Sequence, residues 1–186
     1  WDRLFRSEIG HLLDSLGLQV FSPIVNIRED PHLRRGHASS WFDDDGVATR
    51  PREVVKDGVL QGYFLGVYSA RKLGMKSTGN AGGNANLILA PGPRDFAGML
   101  RELGTGLLVT ELMGQGINMV TGDYSRGAFG YWVEGGKIRY PVEEITIAGN
   151  LRDMFRNVVA IGGAALTRGS RTCGSIIVEG MTIAGA

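Results

Sequence analysis

The sequence is poor in the residues and patterns that mark several protein classes. Its single cysteine, Cys173, excludes an internal disulfide framework and fits a reducing compartment, so a cytoplasmic protein is expected. No apolar run approaches the roughly 18 residues that span a bilayer, and the start does not resemble a signal peptide. No membrane partner is therefore expected. Charge is nearly balanced, with 20 Lys and Arg against 19 Asp and Glu, and the basic residues are scattered. That pattern lacks the basic stripe a nucleic-acid partner would select. Histidine is scarce: His11, His32 and His37 all lie near the start.

Glycine is abundant, at 29 of 186 residues, against a usual share of about 7%. Without a collagen period or low complexity, such density implies many tight turns and close backbone approaches. Together with 43% hydrophobic residues it predicts a packed α+β fold. Antiparallel strands should dominate, with a few short helices. No repeat or linker divides the chain, so residues 1–186 are expected to form a single domain.

Local patterns place the elements. Apolar residues at helical spacing predict helices over residues 7–16 and 96–103, the second ended by Gly104. Ser69 is expected to cap a short helix ended by Gly74. Asn150 should cap another that carries Leu151, Met154, Phe155, Val158 and Val159. Residues 18–25 read as a strand interrupted by Pro23, and 107–112 as a second strand. Asp57-Gly58 and Gly135-Gly136 each supply a tight turn for a hairpin. Residues 175–183 read as a closing strand pair.

Chemistry-bearing groups are few. His32 and His37 are five residues apart in a Pro- and Gly-bounded loop, with no acid between them. This is not the one-face spacing of a helical zinc pair. Asp43-Asp44-Asp45-Gly46 lacks the alternating ligands of a calcium loop, and Val54 stands where its bidentate Glu would be, so it reads as a turn. The Ser77–Asn84 stretch is glycine-rich but lacks the Gly-Lys-Ser/Thr of a nucleotide loop. It can instead let an extended backbone approach closely. A nucleophilic Cys173 would need a base, which only the distant histidines offer. No catalytic residue is assigned and no metal site is expected in this chain.

Several long runs resemble one family. They include Glu29-Asp30-Pro31-His32-Leu33, Ser69-Ala70-Arg71-Lys72-Leu73-Gly74 and Lys76-Ser77-Thr78-Gly79. They continue with Gly104-Thr105-Gly106-Leu107, Thr110-Glu111-Leu112-Met113-Gly114-Gln115-Gly116 and Thr121-Gly122-Asp123-Tyr124-Ser125-Arg126-Gly127-Ala128. Glu144-Ile145-Thr146-Ile147-Ala148-Gly149-Asn150-Leu151 and Cys173-Gly174-Ser175 complete them. These runs resemble the PmbA (TldE) branch of the TldD/PmbA metallopeptidase family, also called modulators of DNA gyrase. The chain corresponds to the C-terminal part, with the N-terminal domain absent.

The resemblance implies a TldE-like subunit that pairs with a TldD-type paralogue. The TldD-type subunit carries a His-Glu-x-x-x-His motif and a cysteine that hold zinc, and Cys173 stands at that cysteine's position. The histidine motif would lie upstream of Trp1. The pair processes extended or unfolded peptides, including the maturation of a ribosomally made peptide. This chain would form part of a closed chamber and recognise the peptide through edge-strand pairing. Gly79, Asn80, Gly114, Gln115, Gly116, Tyr124 and Arg126 are the candidate peptide contacts. The plain alternatives are turn glycines and an Arg126–Asp123 surface pair. A homodimer is expected where the paralogue is missing. Two rival readings remain: a regulatory protein acting on gyrase or a toxin–antitoxin system, and an independent hydrolase using Cys173.

Overall fold

The computed structural model describes residues 14–185. The expected N-terminal helix, with His11, lies largely outside them. The chain divides into two compact units. One comprises the residues up to Ala90 together with Ala165–Cys173, and the other Pro91–Ala164 with Gly174–Ala186.

The first unit is built on a six-stranded sheet. Its strands are β1 (Ile27–Asp30), β2 (Arg52–Lys56), β3 (Val59–Leu60), β4 (Asn86–Leu89), β9 (Leu166–Arg168) and β10 (Arg171–Cys173). Their spatial order is β3-β2-β1-β4-β10-β9, antiparallel except where β10 runs parallel to β4. The β2–β3 hairpin turns at Asp57 and Gly58, both at positive φ, as the Asp-Gly pair predicts. Phe21, Val25, Ile27, Val54, Val55, Leu60 and Leu65 are almost completely buried and form this unit's core.

Residues 18–25 are not a strand. The amides of Val20 and Phe21 both donate to the Gly58 carbonyl, and Val25 turns back to Ser22, so the segment wraps the hairpin irregularly. Helix α1 spans Val67–Lys72 and begins before Ser69. Its first amide, on Val67, donates to the Asp45 carboxylate 22 residues away, while the Ser69 hydroxyl turns back to the Gly66 carbonyl. Asp43 accepts from the amides of Asp45, Val47 and Ala81. The acidic run is thus a turn, as read, and it also starts a helix.

The second unit holds a four-stranded antiparallel sheet of order β12-β7-β6-β5. Its strands are β5 (Gly106–Met113), β6 (Asp123–Glu134), β7 (Lys137–Asn150) and β12 (Thr182–Ala184). A separate pair joins β8 (Val158–Ile161) to β11 (Ile176–Val178). The β6–β7 hairpin closes at Gly135-Gly136 and runs the length of both strands. Helix α2 (Phe96–Leu103) starts at Asp95, whose side chain accepts from the Gly98 amide, and ends at Gly104. Helix α3 (Leu151–Arg156) is capped by Asn150, as the sequence predicts.

Two local readings are corrected here. Val158 and Val159 leave the helix because β8 pairs with β11, and the β-branched run follows the pairing rather than the helical spacing. The closing strands do not pair with each other: β11 joins β8, and β12 joins β7. The α+β class, mainly antiparallel with three short helices among the described residues, agrees with expectation. No helix among these residues is long and apolar enough to cross a membrane.

Candidate functional site

The candidate contacts fall into two groups, one in each unit. In the first unit Gly79 and Asn80 are buried in the loop before β4. The structure surrounds them with a network that begins on the sheet. Glu29 of β1 lies opposite Arg52 of β2, and its side chain is almost fully buried. The Arg52 guanidinium donates to Glu29 at 2.8 Å, to the Tyr63 carbonyl at 2.8 Å and to Asn80 Oδ1 at 2.9 Å. It also lies 4.8 Å from the centre of the Phe64 ring.

Asn80 in turn donates to Glu29 Oε1 at 2.7 Å and to the Gly83 carbonyl, and its Oδ1 accepts from Thr78. The Ala85 amide completes the Glu29 shell. Both ends of the Asn80 amide are thus committed inside the protein, and its side chain holds the loop. A buried ion pair of this kind needs hydrogen bonds on its remaining atoms to offset desolvation, and here it has them.

A cleft of about 400 Å³ opens beside that loop. Asn80, Ala81 and Gly82 form one wall. Phe64, Gly66, Tyr68, Ser69, Lys72, Leu73 and Asp45 complete the cleft's lining. Lys72 Nζ lies 5.1 Å from the centre of the exposed Tyr68 ring.

In the second unit the other candidates cluster at one end of the sheet. Strand β5 is its terminal strand, and Gly114-Gln115-Gly116 follows it directly. Gly114 has a φ of 73°, and Gln115 is exposed. A Cβ on Gly116 would lie 1.5 Å from the Ser125 carbonyl oxygen, so only glycine fits where this loop crosses β6. The Ser125 amide donates to the Gly116 carbonyl at 2.7 Å there.

Tyr124 is buried in β6, and desolvation pushes its phenol pKa up, partly opposed by Arg126. Arg126 is half-buried and donates to the carbonyls of Met113 and Leu112, clamping the end of β5. It is not paired with Asp123. That carboxylate accepts from Thr121 and Asn150, which hold its pKa below the usual value. On β5's own unit, an apolar groove of about 300 Å³ is lined by Phe96, Leu100, Leu103, Leu107, Leu112 and neighbours.

A structural or catalytic metal needs three or four converging donors. Among the described residues no three His, Cys, Asp or Glu converge in that way. Cys173 in β10 lines a pocket of about 30 Å³ with the apolar side chains of Ile27, Leu87 and Leu89. Burial there pushes its thiol pKa up, opposite to the shift that favours a thiolate ligand. His32 packs on Trp41 and contacts the Thr49 hydroxyl. These residues do not fit a metal.

The Glu29–Arg52 pair escaped sequence reasoning. The available signal was a Glu two residues after Ile27 in the same strand, which alternation places on the buried face.

Comparison with known proteins gives a consistent result. A family model for the PmbA/TldA metallopeptidase C-terminal domain matches residues 6–185. The chain is 56% identical to the metalloprotease PmbA of Escherichia coli O157:H7, over 94% of this chain and 39% of that protein. A metalloprotease TldD homologue from Haemophilus influenzae is 25% identical, over 96% of this chain and 39% of its own length. A crystal structure of a candidate modulator of a DNA gyrase from Thermotoga maritima superposes with a TM-score of 0.90 at 36% identity. That alignment covers 98% of this chain and 45% of the other.

Proposed function

The chain belongs to the PmbA/TldA metallopeptidase family, spanning its C-terminal domain on the PmbA branch, and from this premise we infer that it is the TldE-like half of a two-subunit peptidase. It spans about two-fifths of the length of the PmbA relative, and the peptidase activity is proposed for the whole protein. Identity of 56% to a PmbA against 25% to a TldD supports the branch and a paralogous TldD-type partner. The resemblance to the PmbA branch supports placing the metal with that partner. There it supplies polarisation of the scissile carbonyl and activation of water.

This chain's contribution is to hold the peptide. The observation that carries this reading is the outer edge of β5, a strand of eight residues that ends its sheet and pairs there with no other strand among the described residues. An edge strand presents unpaired amides and carbonyls, which an extended peptide can pair irrespective of its side chains. Arg126 fixes the end of that strand through the Leu112 and Met113 carbonyls. Such recognition admits unfolded chains and excludes folded ones, as a chamber for peptide cleavage or maturation in the cytoplasm requires. A homodimer forms through the shared interface where the paralogue is missing.

The test is a peptidase assay on unstructured peptides with zinc, using the intact protein alone, its TldD-type paralogue alone, and the mixture. Activity that needs the mixture and is abolished by chelator supports the pairing. Full activity from this protein alone, lost on alkylating Cys173, overturns it. The name of the Thermotoga relative favours a second reading, regulation of DNA gyrase. Tight binding to gyrase without any TldD-type subunit would select it.

A further inference from the structure

The cleft of the first unit is a second place where a small molecule can sit, and its chemistry is specific. Its lining contains one side-chain cation, Lys72 on α1, and one carboxylate, Asp45 in the turn that holds the first amide of α1. Phe64, Tyr68 and Leu73 add apolar and aromatic surface to the same lining. Ser69 donates its proton to the Gly66 carbonyl, leaving its oxygen as an acceptor. Asn80 contributes a fixed surface, because its amide is already committed to Arg52, Glu29, Thr78 and Gly83.

The wall formed by Asn80 and Ala81 is rigid for a definite reason. Asn80 is tied to the buried Glu29–Arg52 pair, and the Ala81 amide is tied to Asp43. Asp45 is held as well, with one oxygen on the Val67 amide at 2.7 Å. A pre-formed cavity loses little freedom when it binds, so even a small ligand can gain net affinity there. Its volume of about 400 Å³ is at the small end of ligand pockets, which run from about 300 to 1,000 Å³.

We propose that this cleft binds short peptides with free ends, of dipeptide size, the ammonium on Asp45, the carboxylate on Lys72 and an apolar side chain against Phe64 and Tyr68. A zwitterion with an apolar body is the ligand whose charges match one cation and one carboxylate in the same cleft lining. The choice of peptides over other zwitterions rests on the peptidase-family reading, since cleavage supplies such molecules. The cleft then serves as a product or effector site.

Titration of the 186-residue chain with the dipeptide Ala-Phe, followed by amide NMR, tests this without any peptidase activity. Saturable shifts are expected at Ser69, Ala81 and Gly82. N-acetylation and C-terminal amidation of the dipeptide should each weaken binding about tenfold, the loss expected for one charge-assisted hydrogen bond. In Lys72→Met the amidation penalty should vanish while the acetylation penalty persists. In Asp45→Asn, which still accepts from Val67, the reverse should hold. Lys72→Arg should bind like the parent. Capped and uncapped dipeptides binding alike, shifts confined to other residues, or no saturable binding would each overturn the proposal. Zwitterionic non-peptides such as 6-aminohexanoate binding equally well would show charge matching alone and overturn the assignment to peptides. An inactive subunit mixture with intact dipeptide binding would instead fault the two-subunit reading.

Discussion

Replacing Arg52 with Met tests the network that builds the first unit's loop. The substitution keeps much of the side-chain volume but removes three hydrogen bonds of 2.8–2.9 Å. It leaves the Glu29 carboxylate with no cation, at a side chain only 2% exposed. Breaking one partner of a buried pair costs about 3–5 kcal/mol, mostly from the stranded charge. For a chain of this length that corresponds to a fall in Tm of roughly 6–20 °C. The companion change Glu29→Gln in the same chain should recover a large part of the loss, because a neutral amide is cheaper to bury than a lone carboxylate.

Urea unfolding followed by circular dichroism measures both variants. Amide exchange then locates the effect. The Ala85 amide, which donates to Glu29, should lose protection in Arg52→Met, whereas the Gly98 amide on the Asp95 cap should not. A loss under about 1 kcal/mol, or a double variant less stable than Arg52→Met, would refute the claim that the stranded charge dominates.

Other expectations follow from the same coordinates. Gly116→Ala places a methyl group against the Ser125 carbonyl and should destabilise the protein by at least about 2 kcal/mol in the same urea assay. Gln115→Ala, on an exposed side chain beside it, should stay within about 0.5 kcal/mol of the parent. Cys173 should react with iodoacetamide at pH 8 more slowly than glutathione does, because burial raises its pKa and lowers its thiolate fraction. Unfolding in urea should restore the ordinary rate. Tyr124 has a raised pKa, so folding favours its neutral phenol. Its contribution is therefore intact below pH 10 and lost as pH rises through the folded pKa. Absorbance at 295 nm should show one phenol fewer ionising late in Tyr124→Phe.

What the sequence made legible was local. Asp57-Gly58 and Gly135-Gly136 specify hairpins through the φ angles they tolerate, and both hairpins form. Asn150 sits directly before the helix it caps, so its role could be read from neighbours alone. The misreadings share the opposite property. Ser69 looked like a cap because the true one, Asp45, is 22 residues away. Val158 and Val159 kept helical spacing after Leu151, but their strand partner lies at residues 176–178.

Distance in sequence also separates what the candidate residues do from what they resembled. Asn80 stood out beside a glycine-rich loop, yet the carboxylate it bonds is 51 residues away and the guanidinium 28. Arg126 suggested a pair with Asp123 three residues before it, and instead reaches back to carbonyls 13 and 14 residues earlier. In both cases a polar side chain expected to contact peptide is used to fix backbone. That is what backbone recognition demands, since a peptide paired on an edge or seated in a cleft meets main chain whose position must be set beforehand. A conservative Arg126→Lys change discriminates here. The lysine keeps the charge but cannot hold two carbonyls in one plane as a guanidinium does. If Arg126 acts by setting the β5 edge, Lys should behave like Ala in the mixture assay, raising KM for long unstructured peptides. If it contacts substrate through charge alone, Lys should restore the parent KM, and the clamp assigned to Arg126 would be wrong.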